Sequence, residues 1–323
     1  MTSKLAWQQA TQTVMAAGRV LIVTHVKPDG DAIGSMLGLA AALRERGIEV
    51  DTAVDGGVPR YLTYLPGAGE VRSALDTGNW DVMISVDASD EPRSGLVGVY
   101  GREHSAVVIN LDHHPTNTMF GDVQLVAGEA VSSTEVIYDW LVHMQCAISA
   151  PVATALLTGL LTDTIGFRTS NVVPRTLEIA SVLMQCGAPM YDLIQRTLVS
   201  RPYSDLDLWR YALPTMRLNS GIVSVVVSQA NLREVGLDES TDGGLVSALI
   251  EVDEAQIAIV FKEEPDNTVR LSIRSKPGVD VGTVAFSLGG GGHAQAAGAT
   301  VPGTLEEVQA RVLPLLRAAL TQG

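Results

Sequence analysis

Imidazoles and carboxylates recur at four places in this chain. Thr24-His25-Val26-Lys27-Pro28-Asp29-Gly30-Asp31 offers one imidazole and two acids; Ser85-Val86-Asp87 ends in a lone acid; Leu111-Asp112-His113-His114-Pro115 adds an acid and two imidazoles; Leu160-Leu161-Thr162-Asp163-Thr164 closes on another acid. The candidate ligands are nitrogen from His25 and His113 and oxygen from Asp29, Asp31, Asp87 and Asp163, with no sulfur. Hard oxygen mixed with imidazole suits Mn²⁺, or Mg²⁺ and related octahedral ions, better than a structural zinc. Carboxylates gathered in one place raise one another's pKa unless cations lie among them. Two ions would relieve that repulsion, and a pair about 3.5–4 Å apart is the general two-metal route to phosphate ester hydrolysis. A lone Asp after a strand is ordinarily a turn residue or helix cap, so the weight lies in four such places occurring together. His104 and His143 have no acids clustered around them in sequence and read as surface residues.

Downstream, four successive glycines, Gly289 to Gly292, precede His293. Such a run lets the backbone approach a ligand closely, and its N–H groups can form a nest for an anion at the start of the Ala-rich helix expected next. Arg274, at the end of an expected strand, and His293 would add phosphate donors.

These side chains need a scaffold that gathers strand ends. Val20 to Val23, a helix from about Asp31 to Arg46 closed by Gly47, and Ile48 to Val50 follow βαβ grammar. Asp81 to Val86 and Ala106 to Leu111 are continuous, β-branched runs of the kind buried on both faces of a parallel sheet. Helices are expected over 133–145, 150–161 and 174–185, the last closed by Gly187. The fold class is α/β: a doubly wound, mainly parallel N-terminal domain over 1–189 and a smaller α/β domain over 216–323, joined by a polar helical linker over 190–215, with the active site in the cleft between them. Strands over 222–227, 256–261 and 268–273 and helices near 243–250 and 305–320 build the second domain. In open α/β sheets ligands bind outside the carboxyl ends of the strands, where the acids and histidines stand.

With 323 residues, 46% of them apolar, the chain can fill two cores. A net charge of −14 argues against gripping long nucleic acid by charge. The N-terminus lacks the apolar stretch of a secretory signal, and the most apolar run, Val152 to Leu161, is too short to span a bilayer. Cys146 and Cys186 lie far apart and indicate neither a disulfide framework nor a thiolate metal site. A cytoplasmic protein is expected, with no membrane partner, and symmetry preference makes a homodimer the oligomer to test.

At this point the chain resembles a known family. Asp112-His113-His114 looks like the signature of the DHH phosphoesterases, and His25, Asp29, Asp31, Asp87 and Asp163 match that family's other metal motifs in order and spacing. The segment from Gly289 to Gly298, with Ser272-Ile273-Arg274-Ser275 before it, is similar to the DHH-associated C-terminal domain. The resemblance implies a two-Mn²⁺ site, with Mg²⁺ or Co²⁺ as substitutes. One ion would be held by His25, Asp29 and Asp87, the other by Asp31, Asp87, His113 and Asp163, so that Asp87 bridges. His114 would sit beside the scissile phosphate, with Asp112 orienting the histidine pair. Arg274, Ser275, Gly290, Gly291, Gly292 and His293 would bind the substrate's distal phosphate or base. One departure stands out: after Asp163-Thr164 the family commonly has Gly, whereas here Ile165 precedes Gly166.

Within the family, a RecJ-like exonuclease carries further domains and a strand-tracking groove. The family II pyrophosphatases and exopolyphosphatases lack the glycine-histidine run, and the membrane-bound cyclic-di-AMP phosphodiesterases carry transmembrane regions. What remains resembles the stand-alone nano-RNase and 3′-phosphoadenosine 5′-phosphate phosphatase group, whose substrates are very short RNA oligonucleotides and small nucleotides. An enzyme for linear or cyclic dinucleotides is the runner-up, and a nucleotide-binding regulator without turnover is the alternative of a different class.

Overall fold

The computed structural model describes residues 4–237 and 241–321. The chain divides into two compact units at Ser200 and Arg201.

The first unit contains α1 (Lys4–Ala16), β1 (Arg19–Thr24), α2 (Gly30–Glu45), β2 (Glu49–Ala53), β3 (Trp80–Val86), α3 (Gly95–Glu103), β4 (Ser105–Asp112), β5 (Val123–Val126), α4 (Ser133–His143), α5 (Ala150–Asp163), α6 (Pro174–Gln185) and α7 (Met190–Ile194). Its five strands are all parallel in the order β2-β1-β3-β4-β5. The apolar runs that predicted β1, β3 and β4 are sandwiched. Val20, Ile22, Ile84 and Ile109 face the large core under α2, α4 and α5, and Leu21, Val23, Met83 and Val108 face a smaller one that includes Val97 of α3. Each such side chain, fully buried, contributes roughly 1.5–3 kcal/mol. The strand order reverses between β1 and β3, and a crevice opens at the carboxyl ends of the strands at such a switch point. Sequence periodicity did not reveal α1, α3 or β5. β5 has only four residues, and α1 is half polar.

Helices α2 and α5 lie backbone to backbone. Gly30, Gly34 and Gly38 recur every four residues on one face of α2, and a Cβ on Gly34 would stand 2.5 Å from the Ala155 carbonyl oxygen. A Cβ on Gly159 of α5 would stand 2.5 Å from Oδ1 of Asp31. Replacing glycine by alanine inside a helix ordinarily gains about 1 kcal/mol. Here Gly34→Ala should instead lose roughly 1–3 kcal/mol by overpacking. Urea unfolding checks this, and an unchanged or higher midpoint would show that the two helices can part without loss.

The second unit holds α8 (Tyr203–Ala212), β6 (Arg217–Asn219), β7 (Ile222–Val227), α9 (Gln229–Glu234), α10 (Leu245–Leu249), β8 (Ile257–Glu263), β9 (Thr268–Ser275), α11 (Val281–Ser287), β10 (Gly291–His293), β11 (Ala296–Pro302) and α12 (Leu305–Leu320). Its sheet runs β10-β11-β9-β8-β7-β6, with only β7 and β8 parallel. One face packs on α11 and α12, with Phe261, Ile273 and Val312 buried between them; the other packs on α8, α9 and α10 around Val225, Val260 and Leu249. The polar segment expected as a connector over 190–215 is divided between the units, and α8 buries Leu208 and Ala212 in the second core.

The Ala-rich helix expected after the glycine run is absent, and a β-hairpin takes its place. Gly291 pairs with Gly298 and His293 with Ala296, and β11 pairs along β9 from Ala296 opposite Arg274 to Pro302 opposite Thr268. Ala297, Ala299 and Val301 are buried while their neighbours are not. That period of two is a strand's, and it outweighs the helix propensity of alanine. None of the described helices is long and apolar enough to cross a membrane.

Candidate metal centre

Each sequence-predicted ligand of the first unit leaves the carboxyl end of a strand or the adjoining ends of the two glycine-packed helices. His25 follows β1, Asp87 follows β3, and Asp112 to His114 end and follow β4; Asp29 caps α2, Asp31 lies in its first turn, and Asp163 closes α5. Asp87 sits at φ +57, its N–H donating to the Leu111 carbonyl at 2.9 Å. An aspartate tolerates this left-handed geometry better than most residues, at a strain of about 1–3 kcal/mol.

These residues converge. His25 Nε2 lies 3.6 Å from Asp87 and 4.0 Å from Asp29. His113 Nε2 lies 3.1 Å from Asp163 and 3.7 Å from Asp87. Three overlapping groups have ligand atoms within 4.8 Å of one another: His25, Asp29 and Asp87; Asp31, His113 and Asp163; Asp87, His113 and His114. Asp87 and His113 each belong to two of the three.

The hydrogen bonds around the cluster fit it for hard cations. Nδ1 of His25 lies 2.9 Å from the Val26 carbonyl and Nδ1 of His113 lies 3.3 Å from that of Ala130. A nitrogen that donates to a carbonyl fixes the tautomer, leaving the lone pair of each ring on Nε2, toward the acids. Asp31, fully buried, accepts from the Ser133 N–H at 2.6 Å on Oδ2 and from the Thr134 N–H and hydroxyl at 3.0 and 2.8 Å on Oδ1. Those donors form the N-terminus of α4, whose dipole also favours the carboxylate. Three of the roughly four lone-pair sites of a carboxylate are thereby used, leaving one on Oδ2. Ser133 Oγ donates to Asp87 Oδ1 at 2.9 Å.

Burial pushes the Asp31 carboxyl up to about 7, with the charges of Asp87 and Asp29 adding to it. Burial and the Asp31 charge push Asp163 up to about 6. Asp87 is raised by burial as well, only partly offset by the nearby His25 imidazole. For the histidines burial favours the neutral form, yet Asp163 and Asp87 hold His113 well above its ordinary value and Asp87 raises His25. Buried carboxylates that raise one another's pKa are stabilised in their charged form by a cation placed among them.

Beside the cluster, His114 Nδ1 is 2.7 Å from Oδ1 of the buried Asp112, whose Oδ2 accepts from Asn117 Nδ2 at 2.6 Å. Asn117 also donates to the Ala88 carbonyl and is held in turn by Asn110. Burial opposes charge on this pair, but their mutual hydrogen bond holds Asp112 below the usual carboxylate range and His114 above its ordinary value. Sequence reasoning missed Ser133, Thr134 and Asn117. The pattern Ser132-x-x-Glu135 signals a helix start, but nothing in it tells that this start faces an acid 102 residues earlier.

The departure after Asp163 falls in the turn and leaves the Asp163 carboxylate 3.1 Å from His113 Nε2. Ile165 adopts φ +49 itself, followed by Gly166 and Phe167 at +67, while Thr164 Oγ1 donates to the Leu160 carbonyl and accepts from the Phe167 N–H.

In the second unit, strand register sets Arg274 and His293 on either side of Ala296 in one row of one sheet face. Two strand spacings separate them, about 10 Å between backbones, with only a methyl group between. Ser275 points to the other face, where its buried hydroxyl donates to the Val279 carbonyl at 2.6 Å. Gly290 and Gly292 have structural reasons to be glycine, since a Cβ on either would strike the facing β11 backbone. Gly291 is open to solvent.

A five-stranded parallel sheet of order 2-1-3-4-5 that gathers histidines and aspartates at its switch point, followed by a separate mixed-sheet unit, places the chain in a defined class. The chain belongs to the DHH family: the family's N-terminal domain matches residues 19–160 and the DHHA1 domain matches residues 220–322. It is 35% identical over 307 residues, 94% of this chain and 91% of the relative, to the bifunctional oligoribonuclease and PAP phosphatase NrnA of Thermus thermophilus. The Bacillus subtilis protein of the same name is 26% identical over 294 residues, 90% of this chain and 91% of its own. Among solved structures, an exopolyphosphatase-related protein from Bacteroides fragilis superposes with a TM-score of 0.89 at 24% identity, covering 98% of each chain.

Proposed function

We propose that this chain is a divalent-metal-dependent phosphoesterase that hydrolyses RNA oligonucleotides of a few residues to mononucleotides and also removes phosphate from 3′-phosphoadenosine 5′-phosphate. The observation that carries the reading is the convergence of His25, Asp29, Asp31, Asp87, His113 and Asp163 in overlapping groups that share Asp87 and His113, in a chain 35% identical to an enzyme named for both activities. Mn²⁺ is the ion proposed, with Mg²⁺ or Co²⁺ as substitutes, because the donors are imidazole and carboxylate without sulfur.

His25, Asp29 and Asp87 would hold one ion, and Asp31, Asp87, His113 and Asp163 the other. When bound, such a pair polarises the phosphoryl group and acidifies the attacking water. The chain's own residues then have separable tasks. Asp112 clamps His114 through Nδ1, which keeps the ring oriented and charged, so chemistry by His114 falls to Nε2: steadying negative charge on the phosphoryl oxygens and holding a proton for the leaving oxygen. Ser133 fixes the rotamer of Asp87, and the start of α4 fixes that of Asp31. In the second unit, the slot between Arg274 and His293, floored by Ala296, suits a terminal phosphate. A substrate with few charges needs no basic face, which accords with a net charge of −14.

The test is product formation with Mn²⁺ on 5′-labelled RNAs ranging from dinucleotides to strands of several tens of residues, alongside 3′-phosphoadenosine 5′-phosphate and cyclic dinucleotides. Fast, chelator-sensitive loss of the shortest RNAs and of 3′-phosphoadenosine 5′-phosphate is expected. Turnover of cyclic dinucleotides alone would move the protein to signalling, and no chelator-sensitive turnover on any of them would leave a binding role.

A further inference from the structure

Arg274 is one of three cations on the same face of the second sheet. Alternation along β9 puts Arg270 and Ser272 on that face too, and register sets Lys262 of β8 directly opposite Arg270. Like charges directly across a strand pair repel, and Lys262 is only 6% exposed. Burial lowers its pKa, and Arg270 and Arg274 lower it further. Its ammonium donates to Ser272 Oγ at 3.0 Å. Among the described residues neither Lys262 nor Arg270 has an ion-pair partner. Asp242 and Glu264 lie within electrostatic reach of Lys262 without closing to it, and Asp242 Oδ2 is itself buried without a hydrogen bond. On the other side of Arg270, opposite Thr300 of β11, a cavity of about 400 Å³ is lined by Arg270, Thr300, Gly298 and the glycine run from Gly289 to Gly291. Two adjacent cations on which no described acid closes, beside a cavity lined by glycine backbone, suit an anion.

We propose that Arg270, backed by Lys262, forms a second phosphate subsite that engages oligonucleotides of about five residues or more and is not used by dinucleotides or 3′-phosphoadenosine 5′-phosphate. Arg270 and Arg274 are four residues apart on one strand, about 13 Å, which at 3.4 Å per stacked nucleotide is a span of about four nucleotides. The Arg274 slot therefore serves every substrate, and the Arg270 cavity only those long enough to reach it. Arg270 touches phosphate; Lys262 is a positioning residue, turning the Ser272 hydroxyl proton outward and adding charge beneath it.

This inference rests on the proposed function, and Arg270→Gln tests it with two readouts. In turnover, KM for pentanucleotides should rise about tenfold with kcat unchanged, while both constants for 3′-phosphoadenosine 5′-phosphate and for dinucleotides stay at the wild-type level. The salt dependence for pentanucleotides should flatten by about 0.7 in log–log slope, one single-strand phosphate contact. Arg270→Lys should restore part of the loss, and Lys262→Met, checked for an intact melting transition, should reproduce it in milder form. Equal loss on all substrates, or none on the pentanucleotide, would overturn the subsite. In binding, the anisotropy of a labelled pentanucleotide in EDTA reports the subsite without turnover. If the wild type hydrolyses nothing yet loses pentanucleotide affinity on Arg270→Gln, the subsite stands and the enzymatic reading fails.

Discussion

Replacing Asp87 by Asn should reduce metal-dependent turnover on every substrate by at least about a thousandfold while leaving the protein folded. Asp87 belongs to two of the three ligand groups, lies within 4 Å of His25, His113 and His114, and accepts from Ser133. Loss of several kcal/mol of charge stabilisation in the transition state corresponds to three or more decades in rate. The same change removes one of several mutually repelling buried acids, so the chelated variant should melt no lower than chelated wild type. Sites that hold charge for function are commonly suboptimal for stability. Paired rate assays and melting curves check this. Residual activity within tenfold of wild type would remove Asp87 from the centre, and a large drop in melting temperature would recast it as a structural acid.

The second large effect couples stability to pH. A carboxyl whose pKa rises on folding binds its proton more tightly in the native state, so it stabilises most at low pH. For Asp31 and Asp163 that contribution is fully present below the ordinary value of 3.8 and is lost as pH rises through about 6 for Asp163 and about 7 for Asp31. His25 and His113, raised above 6.5, act in the same direction at higher pH, present below 6.5 and lost as each ring deprotonates. Chelated protein should therefore lose stability steadily from about pH 4 to pH 8. Mn²⁺ competes with those protons, so its stabilisation should be small at pH 5 and large at pH 8. At a hundredfold excess over Kd it amounts to roughly 2.7 kcal/mol per site. Thermal unfolding at both pH values, with EDTA and with Mn²⁺, gives the answer; equal Mn²⁺ increments at the two would count against the cluster as the binding site.

The sequence was most informative where burial on both faces of the parallel sheet forces continuous apolar runs. β1, β3 and β4 stood out for that reason, and so did the acids and histidines that end them. What it hid has two physical causes. Contacts made across great sequence distance leave no local mark: Ser133 and Thr134 read as an ordinary helix start, and only the fold brings them onto Asp31. Local propensity also misled where tertiary pairing decides. The residues from Ala294 to Ala299 have a helix former's composition, yet they form a turn and a strand because β9 offers a partner and α11 demands small side chains. Ser275 shows the limit of carrying a role over from a motif. It lies next to Arg274 in sequence, and pleating turns it to the opposite face.

The ends of the second sheet bear on self-association. β6 and β10 are its outermost strands, and each has three residues, all exposed. An edge strand is a template for another chain in proportion to its length and flatness. Here one edge turns back at Ser220-Gly221, both at positive φ, and the other breaks into glycine. Neither gives a second molecule a long ladder of main-chain groups to continue. The outermost strands of this unit are therefore short templates for pairing with a second copy.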